Sequence, residues 1–442
     1  MDFPATAAIV AAVLCAVAVP VMSQAITSPA ALVQLAAVRV DSIVDLPTAI
    51  SRALATSPAM ASGEAGVRTA LSEGRVANGA FLPTLTATST ALRSDMSTAS
   101  TLGTSGATSY SAGLLSGLEL FTGGRRGADQ ARARADLQYA EASDVAQRYQ
   151  VTLGAERAYY EALRGGELMT VADARVIRAE RGVRFAQDRV RAGTATKSDE
   201  LRARLELTTA RQQAVAARDT LQTAAYALGR IVGADGPVGA RVPTSLNPRP
   251  LALTDSDIVV LATRSAPAVQ AADASMRATE AATRSARSLY APDIKLLGGY
   301  SFANQTQVIG ATRPGWQVAL GTSFPLFNGF QREDAVARSA AAADVSRVTA
   351  RDATRMVRTE ASRLMSALRF SEQSIGLAGE AVSAAQEDLR VQTERYRAGI
   401  ATSLDRLTSE FAVTQAELSL VAARYNYQVT RATLEALVGR TL

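Results

Sequence analysis

The chain repeats itself. Ser57-Pro58-Ala59 returns as Ala266-Pro267-Ala268, and Phe81-Leu82-Pro83 as Tyr290-Ala291-Pro292, each displaced by 209 positions. Further on, Leu120-Phe121-Thr122-Gly123 returns as Leu326-Phe327-Asn328-Gly329, Arg191-Ala192-Gly193 as Arg397-Ala398-Gly399, and Leu228 to Gly233 as Leu434 to Gly439, all displaced by 206. A nearly constant offset across 442 residues means two equivalent halves, so each element of the fold is placed twice. The difference of three falls between Pro83 and Phe121, where the first half has the longer connection.

Within each half the period of the apolar residues changes. Trp316, Val318, Leu320, Thr322, Phe324 and Leu326 alternate with Gln317, Ala319, Gly321 and Ser323, and Ile294 to Phe302 alternate likewise, which predicts strands. Tyr110 to Leu120 alternate in the first half, whereas Leu85 to Thr101 are rich in Thr and Ser. Each half is therefore expected to hold one hairpin, over about 84–121 and about 293–327, with turns at Gly103 to Thr108 and Asn304 to Gly315. Heptads follow. Leu368, Ile375, Val382, Leu389 and Tyr396 are spaced by seven, with Leu364, Ser371, Ala378 and Ala385 interleaved. Subtracting 206 gives Ala162, Met169, Val176, Val183 and Val190, with Ala158, Gly165, Ala172 and Ala179 between them. Pairing large with small residues predicts closely packed helix seams rather than a thick core. A helix of 67 residues from Arg332 to Ala398 would be about 100 Å long at 1.5 Å per residue, too long for a compact domain.

These patterns divide the chain into a first repeat over 40–233, a linker over 234–252 and a second repeat over 253–442, with helical-hairpin tips near 193 and 399. The Pro-rich linker is expected to pack around the middle of the helices. Ahead of the repeats, Ala5 to Met22 are almost wholly apolar and Ser23-Gln24-Ala25 supply small residues, so residues 1–25 read as an export signal. No later stretch is long and apolar enough for a membrane-spanning helix.

Composition removes most chemistry. With no histidine and one cysteine, Cys15, there is no His/Cys metal site, no histidine-dependent nucleophile and no disulfide framework. The two lysines, Lys197 and Lys295, do not follow glycine, so no phosphate-cradling GxxxxGK loop exists. No cofactor and no enzymatic activity are expected. The pI near 9.6 suggests nucleic acid, but basic residues such as Arg132 and Arg134 are interleaved with Asp136 and Glu141, and no aromatic stacking platform accompanies them. Nucleic acid is excluded as a partner on that ground.

A cytosolic coiled coil has no reason to interrupt its heptads at two equivalent places with amphipathic hairpins. Four strands cannot close a barrel, and an open sheet edge cannot lie in lipid because its backbone groups would be unsatisfied. Several copies are needed. Two would give eight strands and three would give twelve, and both counts close.

At Leu46-Pro47, Ser57-Pro58, Phe81-Leu82-Pro83, Phe121-Thr122-Gly123-Gly124, Phe327-Asn328-Gly329 and the doubled Arg-Ala-Gly-x-Ala-Thr of 191–196 and 397–402, the chain resembles the TolC family of outer-membrane efflux proteins. The resemblance covers about 40–439. It implies an α plus transmembrane β-barrel fold: a long coiled-coil helical barrel, with four strands per chain completing a twelve-stranded barrel in a homotrimer. It further implies the outer-membrane channel of a tripartite efflux pump or type I secretion system, embedded in outer-membrane lipid and extending into the periplasm. Its partners would be a periplasmic adaptor and an inner-membrane transporter. By the same resemblance Gly193, Thr194, Thr196, Gly399, Ile400 and Thr402 fall on the tip motif where the adaptor docks. Asp405 matches a pore-facing acid, with Thr408 where a second acid is usual, and Tyr396 and Asp199 match a pair that helps hold the tip shut, while Ala401 replaces a supporting basic residue. A periplasmic adaptor or another coiled-coil envelope protein is the alternative, although adaptors lack this duplication.

Overall fold

The computed structural model describes residues 42–94, 107–243, 246–248, 251, 253–304 and 313–442. The expected export signal at 1–25 and most of the two expected hairpin turns lie outside the described residues.

Helix starts are written locally. Asp45 accepts from the Thr48 amide at 3.1 Å and opens α1 (Leu46–Thr56), with Pro47 in its first turn. Ser57 caps α2 (Pro58–Gly79), whose proline sits where no amide is needed. The chain then forms β2 (Thr84–Ser94) and β3 (Ala107–Phe121), and a helix of 67 residues, α3 (Arg125–Arg191), followed by α4 (Lys197–Ile231). The same order recurs as α5 (Asp255–Ser265), α6 (Pro267–Arg287), β5 (Asp293–Asn304), β6 (Arg313–Ser323), α7 (Gln331–Arg397, also 67 residues) and α8 (Ser403–Val438). Between the two sets, Gly239–Ala240 (β4) pairs in parallel with Ile43–Val44 (β1).

The four long strands form one antiparallel sheet in the order β2-β3-β5-β6, leaving β2 and β6 as its edges. The helices follow the same succession. Beside the sheet, α2, α3, α6 and α7 pack in that order; toward the far tips the order is α4, α3, α8, α7. The helix α3 is thus covered on both sides along its length, while α2 and α4 form one outer edge and α7 the other. Small residues make this possible: Ala158, Ala162, Gly165, Ala179, Gly182 and Ala186 are all buried along α3. Gly165 marks a close backbone approach, since a Cβ there would stand 3.1 Å from the Leu221 backbone.

Larger apolar side chains concentrate midway. One cluster joins Ile258 and Val269 to Leu364, Leu368, Tyr427 and Leu434. A second joins Val44 and Ala49 to Tyr159, Leu163, Leu228 and Val238, and so brings the linker onto α3. Tyr159 donates its hydroxyl to the Arg241 carbonyl, which fastens the linker there.

Candidate functional site

At the tips, each turn is a stop-start code. α3 ends as Gly193 adopts φ 71°, with its amide donating to the Val190 carbonyl at 3.1 Å and the Thr194 amide donating to the Arg189 carbonyl at 2.9 Å. Three residues on, Thr196 and Asp199 form a reciprocal capping box that starts α4. The second tip repeats this with Gly399 at φ 78°, Ile400 donating to Arg395 at 2.9 Å, and Thr402 with Asp405 opening α8. Gly193, Thr194, Thr196, Gly399, Ile400 and Thr402 are all solvent-exposed. Ile400 projects most plainly, at 71% exposure.

Both aspartates predicted for the constriction are helix-capping residues. Asp405 Oδ2 accepts from the Thr402 amide at 2.9 Å and hydroxyl at 2.8 Å, which holds its carboxyl below the ordinary 3.8. Asp199 does the same with Thr196, and its Oδ1 also accepts from Ser403 of α8 at 2.6 Å; the Ser403 bond is the largest cause of its lowered pKa. Among the described residues no hydrogen bond joins Asp199 to Tyr396.

Tyr396 is instead buried between two arginines. The Arg189 guanidinium lies 4.6 Å from its ring centroid and also donates to its carbonyl at 3.2 Å; the Arg406 guanidinium lies 5.7 Å from the ring. Arg406 is only 5% exposed and is ion-paired with Glu410 one turn along α8. Burial pushes the Glu410 carboxyl up, against the pull of Arg406. The arginine fits because α3 has a glycine opposite: a Cβ on Gly182 would stand 2.5 Å from Arg406 Nη2. Arg178 of α3 reaches Glu417 of α8 at 3.1 Å, and Arg175 reaches Glu206 of α4 at 2.7 Å. No motif or period in the sequence marks Arg189, Arg406, Glu410 or Ser403. A glycine inside a helix costs about 1 kcal/mol relative to alanine, so Gly182 was the available signal of a close approach.

The sheet has two unlike faces. Register and alternation put Trp316, Val318 and Leu320 of β6 on one side with Ile294, Leu296 and Tyr300 of β5 and Leu114 and Leu118 of β3. The opposite side, apart from Leu92, Leu115 and Leu297, carries Thr84, Thr86, Thr88, Thr90, Ser111, Glu119, Lys295, Ser301 and Gln317. There Glu119 bridges Lys295 at 3.1 Å and Arg125 at 2.8 Å. Aromatic residues bracket the apolar side: Tyr110, Tyr300, Phe302 and Trp316 toward the hairpin end, Phe121 and Phe324 toward the helices. The nine residues from Trp316 to Phe324, eight rises of about 3.4 Å, would span roughly 27 Å, close to the apolar band of a transmembrane barrel once tilted. No helix among the described residues is long and apolar enough to cross a membrane.

The model of the family described as outer membrane efflux protein matches residues 49–234 and 258–440, which takes in both halves. The chain belongs to the outer membrane efflux protein family. Solved channels share its fold. The CusC channel superposes with a TM-score of 0.80 at 18% identity, covering 90% of this chain and 93% of CusC. VceC of Vibrio cholerae gives 0.77 at 18% identity over 89% of this chain and 96% of its own. The CmeC outer membrane channel of Campylobacter jejuni gives 0.79 at 15% identity over 89% and 85%. No curated protein matches the chain significantly.

Proposed function

We propose that three copies of this chain enclose a passive conduit, the outer-membrane component of a tripartite efflux pump or a type I secretion system. Each copy supplies four strands to a twelve-stranded barrel and two helical hairpins to a tunnel that reaches into the periplasm. The observation that carries this reading is the four-stranded sheet with an apolar face and two unpaired edges, β2 and β6. The outermost helices support it. Leu201, Leu205 and Val215 of α4 and Met356, Phe370 and Leu377 of α7 are exposed apolar side chains on helices that lack a neighbour on one side within the chain.

In this reading the polar sheet face lines the lumen. The exposed tips, Gly193 to Thr196 and Gly399 to Thr402, receive a periplasmic adaptor that links the conduit to an inner-membrane transporter, the source of energy. Three copies of Asp405 form an acidic ring that favours cations. The packing of Tyr396 against Arg189 and Arg406 holds α3, α7 and α8 together and keeps that end narrow; here the role expected of an Asp199–Tyr396 pair falls to the two arginines.

Planar-bilayer recording tests the reading. The purified protein is expected to give discrete conductance steps that prefer cations, and Asp405→Ala to reduce that preference at unchanged step frequency. Absence of steps at any protein concentration would overturn the conduit; full cation preference in the variant would remove Asp405 from the pore.

A further inference from the structure

The strand-to-helix corner of the second half holds a backbone conformation its sequence does not suit. In the first half the corner is made by two left-handed residues, Gly123 at φ 61° and Gly124 at φ 87°. In the second half Gly329 keeps φ 66°, but the next residue, also left-handed at φ 65°, is Phe330. It is the one positive-φ non-glycine among the described residues. A bulky side chain in this region is strained. Space is not the issue, because a Cβ on the equivalent Gly124 would meet nothing within 4 Å. What the phenyl ring gains inside this chain is small. It packs edge-to-face on Phe327 at 5.6 Å, and the two rings remain 68% and 74% exposed.

Position shows what can use them. The corner stands at the helix-side end of β6, where the apolar alternation of Trp316, Val318 and Leu320 runs on into Phe324 and Leu326. Immediately beyond Phe330 the chain becomes charged, with Arg332, Glu333 and Asp334. An exposed aromatic pair at the boundary between an apolar sheet face and a charged helix start matches the place where aromatic girdles meet lipid headgroups. We infer that Phe327 and Phe330 form an anchor seated in the headgroup region of the bilayer, and that this contact is why a strained phenylalanine stands where the first half has glycine. The anchor belongs to the second half alone, since Gly124 offers no ring. The inference rests on the barrel reading given above.

Trp316 is the chain's only tryptophan, which makes a clean test. The channel is reconstituted into vesicles of phosphatidylcholine brominated near the headgroup or near the acyl-chain end. Wild-type protein reports on Trp316; Phe330→Trp and Phe327→Trp, each combined with Trp316→Phe, report on the anchor. Emission from both anchor reporters is expected to fall by about half or more with the headgroup-side bromines and less with the deep ones. If Trp316 is quenched while both anchor reporters are not, the rings face water or a second copy and the inference is overturned. If Trp316 itself is unquenched by either lipid, the barrel reading fails first.

Discussion

Single residues decide how closely the helices meet. Gly182 lets Arg406 lie against α3, and from there reach Tyr396 and Glu410. Gly182→Val is therefore expected to destabilise the helical end by about 1–3 kcal/mol through overpacking. Hydrogen exchange should locate the loss to α3 and α8 near the tip, and an unchanged pattern would show that Arg406 has room to move aside. A second residue carries a pH dependence. Glu156 of α3 faces Glu435 of α8 beside Arg431, Gln428 and Tyr160, and burial, with the Glu435 charge second, raises its pKa from 4.5 to about 7. A carboxyl whose folded pKa is raised favours the folded state below its unfolded value, and that contribution is lost as pH rises through about 7. The thermal midpoint of wild type should accordingly fall between pH 5 and 8 more than that of Glu156→Gln; parallel profiles would show that Glu156 does not titrate there. Beyond the presence of a glycine inside a helix, none of this is visible in sequence, because Arg406 and Gly182 are 224 positions apart and only the packing of α8 on α3 makes them neighbours.

Elements were more legible, and for local reasons. The stop and start of each tip turn are encoded within a dozen residues as glycine followed by threonine and aspartate, so the turn needs no tertiary context. Thr196→Ala and Thr402→Ala should each cost about 1 kcal/mol. Faster amide exchange confined to the first turns of α4 and α8 is the expected sign; loss spread along the helices would mean that the caps hold more than their own turn. Corner geometry is duplicated as well. Arg126 donates to the Leu120 carbonyl at 3.0 Å and lies 4.7 Å from the Phe81 ring, while Arg332, 206 positions later, donates to the Pro325 carbonyl at 3.0 Å and lies 5.1 Å from the Tyr290 ring. Heptads exposed the long seams, since Leu364, Leu368, Ser371 and Tyr396 are buried at the predicted positions of α7. They could not show that α3 is covered on two sides, because alanine and glycine carry little hydropathy signal even where they pack most tightly. The pairing of β1 with β4 has no sequence signature, for two-residue strands leave no period to read.

For the whole molecule, duplication and alternating strands together limit the possibilities more than composition does. A sheet with one apolar face and unpaired edges is unstable alone in either water or lipid, and the proposed closure of three copies into a barrel removes those edges. Leu320→Arg, on the apolar side, is expected to destabilise the reconstituted protein by about 2–4 kcal/mol if the residue lies near the bilayer midplane. Gln317→Arg, on the polar side, should be nearly neutral; equal effects would mean the faces are not divided between lipid and water. Most direct is the mass of the detergent-extracted assembly by native mass spectrometry. Three chains per particle, with no smaller species at low protein concentration, is the predicted result, and a stable monomer that keeps its sheet would contradict the account.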